Sequence, residues 1–303
     1  MAWIKGDCPI SFPGLGIELN PPQGFSIGSM HIQFYGVIIA MGLILAVIYG
    51  LKRRKEFGLT EDDLIDGVLW IVPFAVICAR LYFVFFTWDY YKAHPDQIIA
   101  IWNGGLAIYG GVIGAALGIV VYCKCKKLKL GALLDLVAIG FLIGQAIGRW
   151  GNFFNREAFG AETETFLRMG LQLDADQNRI LQTLYYHPTF LYESLWNAAG
   201  FVLLHFLSKK RQYDGQIALG YVAWYGLGRA FIEGLRTDSL YVGPFRVSQL
   251  LAAVSCLAAT AILVILAFRK HDKQKLFVNV RAAADAAAEA AAEAEKTTPE
   301  ETE

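Results

Sequence analysis

Long apolar runs separated by short polar stretches dominate the chain between residues 30 and 268. A helix that crosses a bilayer needs about 20 largely apolar residues. Seven stretches meet that description: Ile32–Leu51, Leu64–Thr87, Leu106–Cys123, Gly131–Gly148, Phe190–Leu207, Gly215–Glu233 and Val247–Phe268. The pattern predicts an all-α, polytopic integral membrane protein of about seven transmembrane helices. Pro73 is expected to kink the second span, where neighbouring helices can satisfy the backbone group it frees.

The polar stretches set the orientation. Lys52, Arg53, Arg54 and Lys55 follow span one, and Lys124, Lys126, Lys127 and Lys129 follow span three. Lys209, Lys210 and Arg211 follow span five, and Arg269, Lys270, Lys273 and Lys275 follow span seven. Alternate loops are thus all basic and are expected on the cytoplasmic side. The N-terminus is then outside and the C-terminus cytoplasmic. The outward loops are Trp88–Gly105, Arg149–Thr189 and Gly234–Arg246. The middle one carries Glu157, Glu162, Glu164, Asp174 and Asp176 and is expected to form a small outward-facing domain. Three regions follow: a Pro/Gly-rich arm over 1–29, a transmembrane domain over 30–268 and a tail over 269–303. The tail turns Ala/Glu-rich from Arg281 and reads as a solvated helix that frays at Thr297. No apolar stretch precedes the first polar segment, so no signal peptide is expected.

Glycines recur every four residues on span three (Gly110, Gly114, Gly118) and span four (Gly140, Gly144, Gly148). Small residues at that spacing let helix backbones approach closely, which predicts tight packing of these two helices.

Composition agrees. The 303 residues are 55% hydrophobic and 18% charged, with mean hydropathy +0.41. Soluble domains carry about 25% charged residues, so an ordinary soluble enzyme is excluded. Twenty-seven basic against 27 acidic residues exclude a strongly basic nucleic-acid binder. None of the five cysteines has zinc-ligand spacing; Cys123 and Cys125 read as membrane-end residues. No metal or cofactor is expected.

Ionisable residues within spans are costly and mark a site by default. Arg80, Glu193, His205, Arg229 and Glu233 fall within spans, and Arg149 ends one. The orientation puts Arg80, Arg149, Glu193, Arg229 and Glu233 in the outer part of the membrane, with Tyr35, Tyr109 and Tyr225. His205 lies near the cytoplasmic end and reads as an interfacial side chain. Tyr225, Arg229 and Glu233 are four residues apart, about 40° of rotation per step, so they share one helix stripe. A structural Arg229–Glu233 pair is one reading of that stripe, and snorkelling to the headgroups is one reading of Arg80. The other is recognition: guanidinium groups bind phosphate through paired hydrogen bonds, and the abundant phosphate at this depth is a lipid headgroup. The segment GRWGNFFNREAFG, Gly148–Gly160, sets Arg149 beside Asn152, Asn155 and Glu157, donors and acceptors suited to hydroxyl groups. The residues point to a polar-lipid headgroup site.

That segment resembles the signature of the prolipoprotein diacylglyceryl transferases, a bacterial integral-membrane family. SMHIQFYG, NGGLAIYGG, HPTFLYE and the Tyr225/Arg229/Glu233 stripe followed by LRTD are similar to further landmarks of that family, in the same order. The resemblance covers about Met30–Phe268. It implies transfer of the diacylglyceryl group of phosphatidylglycerol to the lipobox cysteine of prolipoprotein signal peptides, releasing glycerol phosphate, in the bacterial cytoplasmic (inner) membrane. By resemblance Arg149 and Arg229 hold the phosphate, and Asn152, Asn155, Glu157 and Gly160 shape the headgroup site. Tyr35, Tyr225 and Glu233 match positions the family uses, and Arg80 supports them. Much of the family has His-Gly-Gly where this chain has Tyr109-Gly110-Gly111, and that histidine is a candidate base for the thiol. A tyrosine, with pKa near 10, is a poor base at neutral pH. Tyr109, Glu233 and His187 therefore all stay open as proton acceptors. The rival class is a transporter for an anionic solute or lipid. Against it, the polar groups gather on one side and no inverted repeat is visible. A membrane metalloprotease would need a HExxH pair, which the chain lacks.

Overall fold

The computed structural model describes residues 8–28, 30–174, 181–237, 241–242 and 245–297. Asp176 of the outward loop lies outside them. In chain order the elements begin with β1 (Ile10–Phe12), β2 (Ile17–Leu19), β3 (Gly24–Ile27) and β4 (Met30–Gln33). Helices α1 (Phe34–Arg53), α2 (Glu61–Phe86), α3 (Trp88–Ala93), α4 (Ile108–Lys126) and α5 (Leu130–Asn155) follow. Then come β5 (Met169–Asp174), β6 (Leu181–Tyr186), α6 (Thr189–Ser208), α7 (Gln216–Glu233), β7 (Tyr241–Val242), β8 (Phe245–Arg246), α8 (Val247–Ala267) and α9 (Phe277–Thr297).

All seven predicted spans are helices. Six of them, α1, α2, α4, α5, α6 and α8, are long and apolar enough to cross a membrane. The exception among the seven is α7. Its 18 residues include Gln216, Arg229 and Glu233, which lower its hydropathy. The helix least suited to lipid is the one that carries the polar stripe. The second span, α2, runs as one helix through Pro73.

The chain divides into two compact units. The first comprises Met1–Tyr49, Val137–Arg211 and Gln216–His271. In it Gly140 packs against Ala46 and Gly148 against Ile39, while Gly42 packs against Gly144, so α5 lies close along α1. Helices α6 and α7 are locked by a reciprocal tryptophan pair. The Trp196 and Trp224 rings stack at 4.4 Å, and each indole N–H donates to the other residue's backbone carbonyl at 3.0 Å. Each ring lies on a glycine of the facing helix: a Cβ on Gly228 would sit 2.2 Å from Trp196 Nε1, and one on Gly200 2.4 Å from Trp224 Nε1.

The N-terminal arm and the long outward loop, read above as separate pieces, share one antiparallel sheet in the order β2-β1-β5-β6. Ile10 pairs with Leu171 and Ser11 with Gly170. Ile10, Phe12, Phe153, Met169, Leu171, Tyr186 and Phe190 form its core, so the sheet is seated on the end of α5 and the start of α6. Arg156 fastens the arm: it is 1% exposed and donates to the carbonyls of Cys8, Phe154 and Pro21 and to Asn20 Oδ1.

The second unit comprises Gly50–Leu136, Gln212–Gly215 and Asp272–Glu303. Here α4 lies against α2, with Gly110 and Gly114 set on Cys78, Ala79 and Ala75 and Gly118 on Ile71 and Phe74. The glycine stripes of spans three and four each close-pack on a helix of their own unit. One meets span two and the other span one. A small-residue stripe specifies a close approach and leaves the partner to topology. In this unit Thr60 opens α2 with a capping box to Asp63, and Arg281 of α9 reaches Asp63 at 2.7 Å. The Ala/Glu-rich tail is therefore a helix docked at its first turns.

The tryptophan lock yields a stability prediction. Gly228→Ala should lower the thermal midpoint of the purified protein, by an overpacking penalty of about 1–3 kcal/mol. Gly36→Ala on α1, where no atom lies within 4 Å of the added Cβ, should leave it unchanged or raise it. Equal midpoints for the two variants would show that the pair does not hold α6 to α7.

Candidate functional site

Three helices of the first unit meet at one buried carboxylate. Glu193, one turn into α6, is 3% exposed. Arg149 of α5 forms an ion pair with its Oε2, and Arg229 Nη1 of α7 lies 2.5 Å from its Oε1. Arg236, just past α7, approaches the same oxygen at 3.9 Å. Arg229 also pairs with Glu233, one turn along α7 and 2% exposed. The predicted i, i+4 pair is therefore present, but as part of a larger network. Three positive and two negative charges leave one net positive charge. Arg246 adds another beside it, donating to the Glu233 backbone carbonyl and to the Tyr241 hydroxyl.

The end of α5 carries the network to the surface. Arg149 Nη1 donates to Asn152 Oδ1 at 3.4 Å, and Asn152 Nδ2 donates to Glu157 Oε1 at 2.9 Å. Arg156 and Ala158, on either side of Glu157, hold left-handed backbone at φ 55° and 57°. Such conformations cost roughly 1–2 kcal/mol each for residues with a Cβ. The Glu157 amide donates to the Asn152 carbonyl at 3.0 Å, and Thr189 ties down the Ala158 carbonyl. This strained turn presents Glu157 to solvent beside the arginines. Asn155 Oδ1 is buried there with no hydrogen-bond partner among the described residues. Tyr35 lies across Gly151, where a Cβ would come within 2.7 Å of its ring, in electrostatic reach of Glu157 and Arg149. Tyr225 stacks on Tyr221 at 5.7 Å. Gly160 is a backbone crossing: its amide donates to the His187 carbonyl, it bridges Arg236, and a Cβ would strike His187.

Two of the sequence-derived residues lie in the other unit. Tyr109 is exposed on the first turn of α4, beside the buried Gly110. Arg80 is 6% exposed and donates to the carbonyls of Gln97, Ile98, Ala100, Gly104 and Gly105 at 2.6–3.4 Å. A guanidinium has five N–H groups, and here each nitrogen is committed to loop carbonyls. Arg80 is thus a clamp on the loop that leads to α4, which corrects its reading as a headgroup ligand. Among the described residues, the Arg149 and Arg229 side chains, 20% and 17% exposed, pair only with carboxylate and amide oxygens that a phosphate can replace or supplement.

Sequence reasoning flagged Glu193 as an intramembrane charge without giving it a role, and did not single out Arg236 or Arg246. The signal for Glu193 was its span. Arg236 and Arg246 lie in a loop, where arginine is ordinary. Pro188 is the N-cap of α6, and His187 Nδ1, just before it, lies 3.4 Å from the Tyr192 hydroxyl. Burial holds its pKa below the ordinary imidazole value.

The family model for prolipoprotein diacylglyceryl transferase matches residues 22–265. The phosphatidylglycerol–prolipoprotein diacylglyceryl transferase of Bacillus licheniformis is 45% identical over 259 residues, 84% of this chain and 96% of that one. Its namesake in Limosilactobacillus reuteri is 44% identical over 273 residues, 88% and 97% of the two chains. That of Listeria monocytogenes is 43% identical over 253 residues, 83% and 91%. The chain belongs to the prolipoprotein diacylglyceryl transferase family.

Proposed function

We propose that this chain transfers the diacylglyceryl group of phosphatidylglycerol to the lipobox cysteine of prolipoproteins, and that the ion-pair cluster of α5, α6 and α7 is where the lipid phosphate is held. The observation that carries the reading is the cluster's composition. A net positive charge is fixed in a half-buried setting, on guanidinium groups that keep donors for an incoming anion. The substrate phosphodiester brings one negative charge. As the cysteine sulfur bonds to the glycerol carbon, the carbon–oxygen bond to phosphate breaks and the electron pair leaves with glycerol phosphate. Negative charge therefore grows on the phosphate oxygens, where preorganised donors stabilise it most. Arg149 and Arg229 bind that phosphate, and Glu193 keeps their heads apart and aimed. Glu233 holds the far side of Arg229. The unpartnered Asn155 Oδ1 accepts from a headgroup hydroxyl, with Asn152, Glu157, Tyr35 and Tyr225 around it.

The chain sits in the bacterial cytoplasmic membrane with its N-terminal arm outside and its C-terminus in the cytoplasm. The basic residues after α1, α4, α6 and α8 support that orientation. The sheet beside the site then faces the compartment where prolipoproteins emerge. The signal segment brings its cysteine to the cluster from the lipid phase. His187, whose burial favours the neutral ring, takes the thiol proton. Tyr109 positions substrate, and Arg80 holds the loop before it.

Substitutions at Arg149, Arg229, Glu193 and His187 test this with phosphatidylglycerol, a synthetic lipobox peptide and mass spectrometry of the cysteine adduct. Arg149→Ala and Arg229→Ala should each lower transfer at least ~10²-fold at equal membrane protein level. Lysine at either position should recover little, because an ammonium lacks the paired donors. Full activity in either alanine variant would refute its role. Glu193→Gln should lose transfer and also several degrees of thermal stability, since breaking a buried pair costs roughly 3–5 kcal/mol. Unchanged stability would show that the carboxylate is not the hub. In the wild type, kcat/KM should fall as pH drops below the ordinary imidazole range, because protonated His187 cannot accept a proton. His187→Gln should abolish that acid limb; a limb that persists assigns the proton to another group, with Tyr109→Phe the next variant to measure.

A further inference from the structure

Beneath the ion pairs the same helices carry a second polar layer. Gln145 lies one turn before Arg149 on α5, and Asn197 one turn after Glu193 on α6. The two helices run in opposite senses, so both steps lead the same way. A step of four residues moves about 6 Å along the axis and only about 40° around it. Gln145 and Asn197 therefore keep the faces that join Arg149 to Glu193. Between the layers Ser194 Oγ donates to the Ala146 carbonyl at 2.7 Å and fixes the register of the two helices. From α7 the Tyr221 hydroxyl meets Gln145 Nε2 at 3.0 Å.

This layer is unsatisfied. Asn197 is 1% exposed, and among the described residues neither its Oδ1 nor its Nδ2 has a hydrogen-bond partner. Gln145 Oε1 is buried and also lacks one. An orphaned buried polar group costs about 1–3 kcal/mol, so an apolar side chain would serve better if packing were the only task. Five covalent bonds separate the phosphorus of a glycerophospholipid from its nearer ester carbonyl, roughly 6 Å when extended. One helical turn spans the same distance. We infer that Gln145 and Asn197 form a subsite for the ester carbonyls of the diacylglyceryl group, one turn below the arginines that hold its phosphate. Asn197 Nδ2 donates to one ester. Gln145, with its amide turned so that Oε1 accepts from the Tyr221 hydroxyl, offers Nε2 to the other; the two amide orientations are equivalent in shape. The inference rests on the lipid reading of the arginine cluster. It adds a chemical demand: ester-linked chains, not merely two long chains on a phosphate.

The experiment compares diester phosphatidylglycerol with its diether analogue, which has the same headgroup and chains but no carbonyls. Binding to the full-length protein in detergent is read by native mass spectrometry, and transfer to the lipobox peptide separately. The wild type should favour the diester about tenfold in both, the loss expected when donors meet no acceptor. Asn197→Leu should shrink that preference to about twofold while keeping or raising the thermal midpoint in lipid-free detergent. Gln145→Met, which keeps length and removes the donor, provides the same reading if the leucine variant fails to fold. Equal use of the two lipids by the wild type overturns the inference, as does an unchanged ester preference in the variants. A higher KM for the peptide with ester preference intact assigns the amides to the signal-peptide backbone and also overturns it. Ester-selective binding without any transfer by the wild type upholds the subsite and refutes the transferase reading instead.

Discussion

The carboxylate of Glu193 lies buried among guanidinium groups contributed by three stretches of chain, and its neutral replacement would leave those groups facing each other in a setting poor in water. A buried ion pair is not by itself a source of stability, because desolvation offsets much of the attraction. Here it constrains geometry. Arg149 and Arg229 project from different helices, and one oxygen of Glu193 serves each. With Glu233 on the far side of Arg229, the guanidinium heads are fixed before any anion arrives. That is the form of preorganisation that favours a developing phosphate charge.

The packing around the cluster follows from the need to hold those helices close. Glycine under each tryptophan of the Trp196–Trp224 pair lets α6 and α7 approach until each indole reaches a carbonyl of the other helix. Glycines along α1 and α5 do the same on the other side. With little hydrophobic driving force between helices in lipid, close packing and such hydrogen bonds carry the association. Left-handed Arg156 and Ala158 are tolerated because the turn is tied down at both flanks, by the arm that Arg156 grips and by Thr189.

Arginine performs three tasks in this chain, and partner chemistry distinguishes them. Arg80 and Arg156 are nearly inaccessible and satisfied mainly by backbone carbonyls, so they hold a loop and an arm. Arg149 and Arg229 are paired with carboxylates and partly open, so an anion can join them. Arg246 closes the C-terminal end of α7, where the helix dipole favours a cation.

Helix number, position and the list of intramembrane charges were legible in the sequence because each is local: apolar length, spacing by four and the cost of burying a charge. The GRWGNFFNREAFG segment was legible for the same reason, its donors and acceptors being contiguous. What the chain could not reveal depended on which helices became neighbours. The glycine stripes of α4 and α5 found α2 and α1, the short β1 and β5 strands joined residues some 160 positions apart, Arg80 turned from ligand to clamp, and Glu193 became the hub of a charge network. Each of these outcomes is a pairing between distant positions. A helix face fixes only what kind of surface it offers, and tertiary packing decides which of several compatible surfaces it meets.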